Sequence, residues 1–212
     1  MQGLIGKKIG MTSVFDKETG ESVPVTIIQI GKNVVHQVKT TEKDGYTAAQ
    51  LGFDACKEKR VTRPRLGHFN KLGTEPTRVV REFGIEAEDS ELAPGQKVGI
   101  EIFDNVEYVD VSGTTKGRGY TGTIKRHNFQ RGRETHGNTN HRDRGSLGAG
   151  TYPARVFPGL KMAGHYGAEQ QTIKGLEIFS LDKEEGLVLV KGSVPGRNKG
   201  YVFVKKNLSK SR

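Results

Sequence analysis

Residues 112–167 set the limit on what this chain can become. That stretch of 56 residues holds 13 hydrophobic side chains and 12 glycines, too little apolar surface to repay the entropy of ordering so long a segment. An irregular run of this length inside a compact protein needs either a function or a partner. Its charge says which. Between 116 and 165 lie ten bases, Lys116, Arg118, Lys125, Arg126, Arg131, Arg133, Arg142, Arg144, Arg155 and Lys161, against only Glu134 and Asp143. Four of the six histidines, His127, His136, His141 and His165, fall in the same interval. Lysine and arginine neutralise phosphates, and glycine lets a backbone run close to nucleic acid. Tyr120, Phe129, Tyr152, Phe157 and the Arg155 guanidinium offer planes that stack on unpaired bases, which favours folded RNA over duplex DNA.

The flanks read differently. Residues 23–30, 33–39, 46–53, 97–103 and 106–111 are rich in β-branched side chains and bounded by Gly, Asn, Asp or Pro, as strands are. Val98, Ile100 and Ile102 alternate with Gly99 and Glu101, the period of a half-buried strand. After the basic block, 172–181, 186–191 and 201–205 resume the pattern, with a turn at Pro195 and Gly196. Residues 57–65 and 77–88 are mixed and predict short helices. Many short strands with frequent turns point to a small all-β barrel carrying two insertions. Its parts are a body over 1–115 and 168–212, with an inserted subdomain at about 40–95, and an extension over 116–167. Residues 82–111 carry nine acids against Lys97 alone, a solvated rim or a face toward a basic neighbour.

Several classes fall away. No run of about 18 apolar residues exists for a membrane span, and the first residues lack the pattern of a secretory signal. The single cysteine, Cys56, forms no internal disulfide and no cysteine-rich metal site. GRGYTG at 117–122 matches a dinucleotide fingerprint, but no apolar helix face and no βαβ repeat accompany it. GSLG at 145–148 matches the KH-domain loop without the flanking amphipathic helices. The Asn207 sequon reads as accidental in a chain without a signal. His136, His141 and Asp143 are the one set from which an RNA-processing or RNA-modifying enzyme could be built; glycine- and arginine-rich surroundings promise no rigid second shell for a metal there.

Longer matches carry a family. GLIGKKIGMT at 3–12, DVSGTTKGRGYTG at 110–122, Lys125 and Arg126, THGN at 135–138, His141 and Arg142, GSLG at 145–148, Pro153, RVF at 155–157, KMAG at 161–164 and LVLVKGSVPG at 187–196 occur in order along nearly the whole chain. In these the sequence resembles bacterial-type members of the large-ribosomal-subunit protein three family. The resemblance implies a mainly β fold: a six-stranded, translation-protein-like barrel with a mixed α/β insertion and a long, basic, irregular extension loop. It implies a non-catalytic constituent of the large subunit, cytoplasmic and within the ribosome. Such a protein binds large-subunit rRNA near its 3′ end early in assembly and reaches toward the peptidyl transferase centre.

The partners implied are rRNA and neighbouring large-subunit proteins, with no membrane, small-molecule substrate, cofactor or metal, and no homo-oligomer. The rRNA-binding set becomes Lys7, Lys8, Lys116, Arg118, Lys125, Arg126, His127, Arg131, Arg133, His136, Asn138, His141, Arg142, Arg144, Ser146, Arg155, Lys161 and His165. The distal loop comprises Gly145, Ser146, Leu147, Gly148, Ala149, Gly150, Pro153 and Arg155. Three positions depart from the family pattern: Ala149 stands where a methylatable glutamine is common, His127 where some members have Trp, and Pro158 where lysine is common.

Overall fold

A computed structural model of the chain describes residues 1–16, 20–85 and 92–209. They form two compact units, 1–115 with 170–209, and 116–169. In the first unit, β1 (Gly3–Phe15), β2 (Ser22–Gln29), β7 (Tyr108–Thr114), β10 (Gln170–Asp182), β11 (Leu187–Lys191) and β12 (Tyr201–Lys206) close a barrel in the order β1-β12-β7-β10-β11-β2. Every neighbouring pair is antiparallel. A strand turns alternate side chains to opposite faces. Val109 and Val111, Val188 and Val190, and Val202 and Val204 therefore all point inward and are buried.

The second sheet of this unit has the order β5-β4-β3-β6, from β3 (Asn33–Lys39), β4 (Ala48–Ala55), β5 (Thr77–Gly84) and β6 (Lys97–Val98). Helix α1 (Thr41–Asp44) joins β3 to β4, and α2 (Arg63–Leu72) lies between β4 and β5. Arg63 and Pro64 open α2, where proline's missing N–H costs nothing, and Gly73 closes it in the left-handed conformation, φ 65°. Val35, Leu51 and Phe83 join Leu4, Ile28 and Val204 in one core, so the sheet and the barrel share a single apolar interior.

Two local devices join the layers. Buried Asn33 accepts from the Ile5 N–H and donates to the Ile5 carbonyl, both at 3.1 Å, pairing with β1 as a strand would. Buried His36 lies between Thr74 Oγ1 and Thr77 Oγ1, each 2.8 Å from a ring nitrogen, with its ring centre 4.9 Å from that of Phe69. Burial, helped by the nearby His68, holds its pKa at about 4 instead of 6.5. Because the fold favours the neutral ring, its contribution is complete above pH 6.5 and is lost as the pH falls toward 4. Urea titrations at pH 7 and pH 4.5 are expected to differ by ~2 kcal/mol from this residue. The His36 ring proton shifts should stay at their neutral values to below pH 5; titration near 6.5 would remove the effect.

Two expectations are corrected, and a third, helix within 57–65, is met by two helical pieces. Residues 97–103 are not one strand: after β6 the chain turns into a 3-10 helix over Ile100–Phe103, whose three-residue period puts Ile100 and Phe103 on the same buried side. Residues 77–84 form strand β5 instead of a helix, paired along its length with β4; residues 86–88 of that expectation lie outside the described residues. Residues 57–65 divide between a 3-10 turn, Glu58–Arg60, and the start of α2. Strand β1 carries no clear strand signal, because glycine and lysine interrupt its apolar pattern. A Cβ on Gly3 would lie 2.4 Å from the Val204 carbonyl oxygen, so the close approach of β1 to β12 demands glycine there.

Candidate nucleic-acid interface

The unit 116–169 begins and ends on a short ladder. Strand β8 (Gly119–Thr121) pairs with β9 (Gly164–Tyr166), setting Tyr120 opposite His165. The Arg118 N–H donates to the Tyr166 carbonyl at 2.9 Å, and its guanidinium stacks 5.4 Å from the Tyr166 ring centre. Helix α3 (Thr123–His127) follows. From it Arg126 Nη1 and His127 Nε2 both donate to the Met162 carbonyl, at 2.8 and 3.1 Å, tying the outgoing chain to the returning one. Lys116, Lys125, Lys161 and His165 are exposed around this base.

Beyond it the backbone is held by polar contacts of its own. Asn138 Nδ2 donates to the carbonyls of Arg133 (2.8 Å) and Asn140 (3.2 Å), and His141 Nδ1 donates to Arg133 O at 2.9 Å. Gly132 sits inside this knot: a Cβ there would lie 2.0 Å from the Asn140 carbonyl oxygen. Arg131 pairs with Glu134. Arg133, His136, Arg142 and Arg155 are exposed. Arg144 differs, because its Nε and Nη1 are shielded from solvent yet have no hydrogen-bond partner among the described residues. A shielded, unpaired guanidinium edge is costly unless an acceptor arrives.

At the far end, Ser146 Oγ accepts from the Gly148 N–H at 3.3 Å, and a shallow hollow of about 250 Å³ is lined by Leu147, Gly148, Ala149, Ala154, Arg155 and Val156. Gly145 and Gly150 are exposed beside it, and Pro153 follows a cis bond from Tyr152. Leu147, Tyr152, Val156 and Phe157 all face outward, Tyr152 at 87% exposure.

The unit has no core. Every buried apolar side chain among the described residues lies outside 116–169. Of its cations, Arg131 alone has an acidic partner among the described residues. What it presents is a ribbon of arginines and outward aromatic rings on a backbone fixed by hydrogen bonds. That combination accommodates a polyanion with stackable bases.

Two sequence-derived sets look different in three dimensions. Lys8 is 6% exposed, and its Nζ donates inward to the Val194 and Gly196 carbonyls at 2.7 and 3.5 Å, so it braces a turn of the barrel. Lys7 is half-buried, with its ammonium 5.9 Å from the Tyr201 ring centre. His136, His141 and Asp143 do not converge with other ligand types: no group of three His, Cys, Asp or Glu side chains suited to a metal occurs among the described residues.

Three acids of the acidic stretch are committed within the body. Glu82 pairs with Lys39 at 2.9 Å and Asp104 with Lys183 at 2.7 Å. Asp110 accepts from the Gly175 N–H and from Asn207, at 2.8 and 2.7 Å. Glu86, Glu88, Asp89 and Glu91 lie outside the described residues. Among the described residues no helix is long and apolar enough to cross a membrane.

Comparison with known proteins agrees with the resemblance read from the motifs. Residues 72–187 match the family model described as Ribosomal protein L3. A protein of Desulforapulum autotrophicum named large ribosomal subunit protein uL3 is 49% identical over 205 residues, covering 97% of this chain and 98% of its own. One of the same name from Thermotoga maritima is 48% identical, covering 97% of each chain. Another, from a Picosynechococcus species, is 48% identical over 195 residues, 92% of this chain and 91% of its own. With the family model matching more than half of the chain and these relatives covering 92–97% of it, the chain belongs to the ribosomal protein L3 family.

Proposed function

We propose that the protein is a structural, non-catalytic constituent of the large ribosomal subunit, residing with it in the cytoplasm. It binds large-subunit rRNA directly through 116–167 and anchors its body on the subunit surface. The observation that carries this reading is a segment with no buried apolar side chain and nine cations lacking an acidic partner among the described residues, its backbone held by its own polar contacts. Arg118, Lys125, Arg133, Arg142, Arg155 and Lys161 neutralise phosphates. Arg144 gains the acceptor its shielded edge lacks, and Tyr120, Tyr152 and Phe157 cover bases. His127, Asn138 and His141 shape the backbone that presents these groups.

The finer reading follows the family resemblance. Binding occurs near the 3′ end of the rRNA and early in assembly, the loop of Gly145, Ser146, Gly148, Pro153 and Arg155 points toward the peptidyl transferase centre, and other large-subunit proteins are neighbours. Chemistry there belongs to the RNA, and His136, His141 and Asp143 catalyse nothing.

Mass spectrometry of high-salt-washed subunits resolved on a gradient tests the reading. One copy per large subunit, retained through the wash, is the expected result. Trace amounts or loss into the wash would make the protein a transient factor. Turnover of RNA that disappears on substituting His136, His141 or Asp143 would establish an enzyme instead.

A further inference from the structure

The body carries a basic concavity of its own. A hollow of about 350 Å³ beside the end of β4 and the start of β5 is lined by Asp54, Cys56, Lys57, Arg60, Arg65 and Arg78, among others, a volume within the range of small-ligand sites. Its four cations arrive from separate places: Lys57 and Arg60 from the turn after β4, Arg65 from α2, and Arg78 from β5. None has an acidic partner among the described residues. The one carboxylate in the wall, Asp54, is engaged by the Tyr201 hydroxyl, which donates to it at 2.5 Å.

Arg65 is oriented in advance. Its Nη2 donates to the Thr77 and Arg78 carbonyls at 3.3 and 3.4 Å, and its guanidinium lies 5.9 Å from the Phe69 ring centre. A solvated charge run spreads its cations apart, whereas here three elements converge them on one cavity with a single, already bonded anion. Their mutual repulsion is relieved when a multivalent oxyanion enters, and guanidinium groups bind phosphate oxygens in a matching fork geometry. All four cations are exposed along the hollow, with Arg65 held by backbone carbonyls, an arrangement that lets a polymer pass across the mouth.

We propose that this hollow receives a backbone phosphate of RNA, a second anchoring point that lies on the body and not on the extension. It rests on the rRNA-binding reading above and extends it to residues outside 116–167. Free phosphate shares the chemistry, and the experiment separates the two sources.

Cys56 supplies the probe, since it is the only cysteine of the chain, half-buried in the wall. Alkylation of the full-length protein by iodoacetamide is followed by mass spectrometry with no addition, with millimolar inorganic phosphate, and with large-subunit rRNA. The rRNA is expected to slow alkylation about tenfold by blocking access, and phosphate to leave it nearly unchanged. The double variant Lys57→Ala/Arg60→Ala, checked for unaltered urea unfolding, should lose that protection. It should still bind rRNA, with the log–log salt slope reduced by about one to two. Wild-type protein that binds rRNA while Cys56 reacts at its free rate overturns the pocket and leaves the extension's role intact. Protection by phosphate equal to that by rRNA overturns the RNA assignment in favour of a free anion. Failure to bind rRNA at all overturns both readings.

Discussion

A protein lacking residues 127–163 is expected to unfold cooperatively, within a few degrees of the intact chain, and to lose its hold on large-subunit rRNA. Both halves follow from the same fact. The deleted segment contributes no buried apolar side chain, so the barrel and its sheet keep their whole described core. Strands β7 and β10 remain neighbours on either side of the deletion, with Thr114 opposite Gln170. The segment carries Arg131, Arg133, Arg142, Arg144, Arg155 and Lys161. Removing six phosphate-neutralising groups should lower the log–log salt slope by up to about 4 to 5 and weaken binding on the order of a thousandfold at about 0.2 M salt. Filter binding across a salt series, with calorimetric melting as the control, measures both. Loss of cooperative unfolding would show that the extension stabilises the body; unchanged affinity would move RNA recognition elsewhere in the chain.

Replacing Gly52 by alanine should destabilise the body by ~3 kcal/mol or more. A Cβ at this position in β4 would stand 2.0 Å from His36 Nε2 and 2.4 Å from Thr77 Oγ1. Neither neighbour is a free end that swings aside. His36 is fully buried and hydrogen-bonded at both ring nitrogens, and Thr77 is fixed in β5. Accommodating the methyl group breaks the Thr74–His36–Thr77 chain and leaves buried polar atoms unpaired. Urea unfolding of the G52A variant, set beside G67A in exposed α2 where a Cβ meets nothing within 4 Å, separates this clash from any general effect of losing a glycine. A loss below about 1 kcal/mol would show that the histidine can move.

The barrel was legible where one face of a strand is buried and its residues alternate. Residues 106–111, 186–191 and 201–205 point to β7, β11 and β12 within a few residues. Strand β1 was hidden because its glycines serve close strand approach and its Lys8 is satisfied by carbonyls far along the chain, neither of which periodicity reports. Alternation misled over 97–103, since Ile100 and Phe103 are equally well placed on one side of a 3-10 turn. The basic ribbon was visible as composition. Which of its members are committed to holding the backbone was not. Arg126 and His127 are fixed by a carbonyl at Met162, and that contact exists only because β8 and β9 bring distant segments together. Lys57, Arg60, Arg65 and Arg78 were likewise invisible as a set, coming as they do from a turn, a helix and a strand.

The seam of the barrel has a consequence for how the molecule comes into being. Strand β1 is hydrogen-bonded to β2 on one side and to β12 on the other, with Gly3 opposite Lys205. During synthesis β1 therefore waits for a partner made after residue 200. At the usual elongation rate of roughly 5–20 residues per second that wait is on the order of ten seconds or more. Through that interval one edge of β1 and the apolar side chains of Leu4 and Ile5 lack their final cover. The nascent chain must be shielded, or be slow to stick, until the ring closes in one late, long-range step.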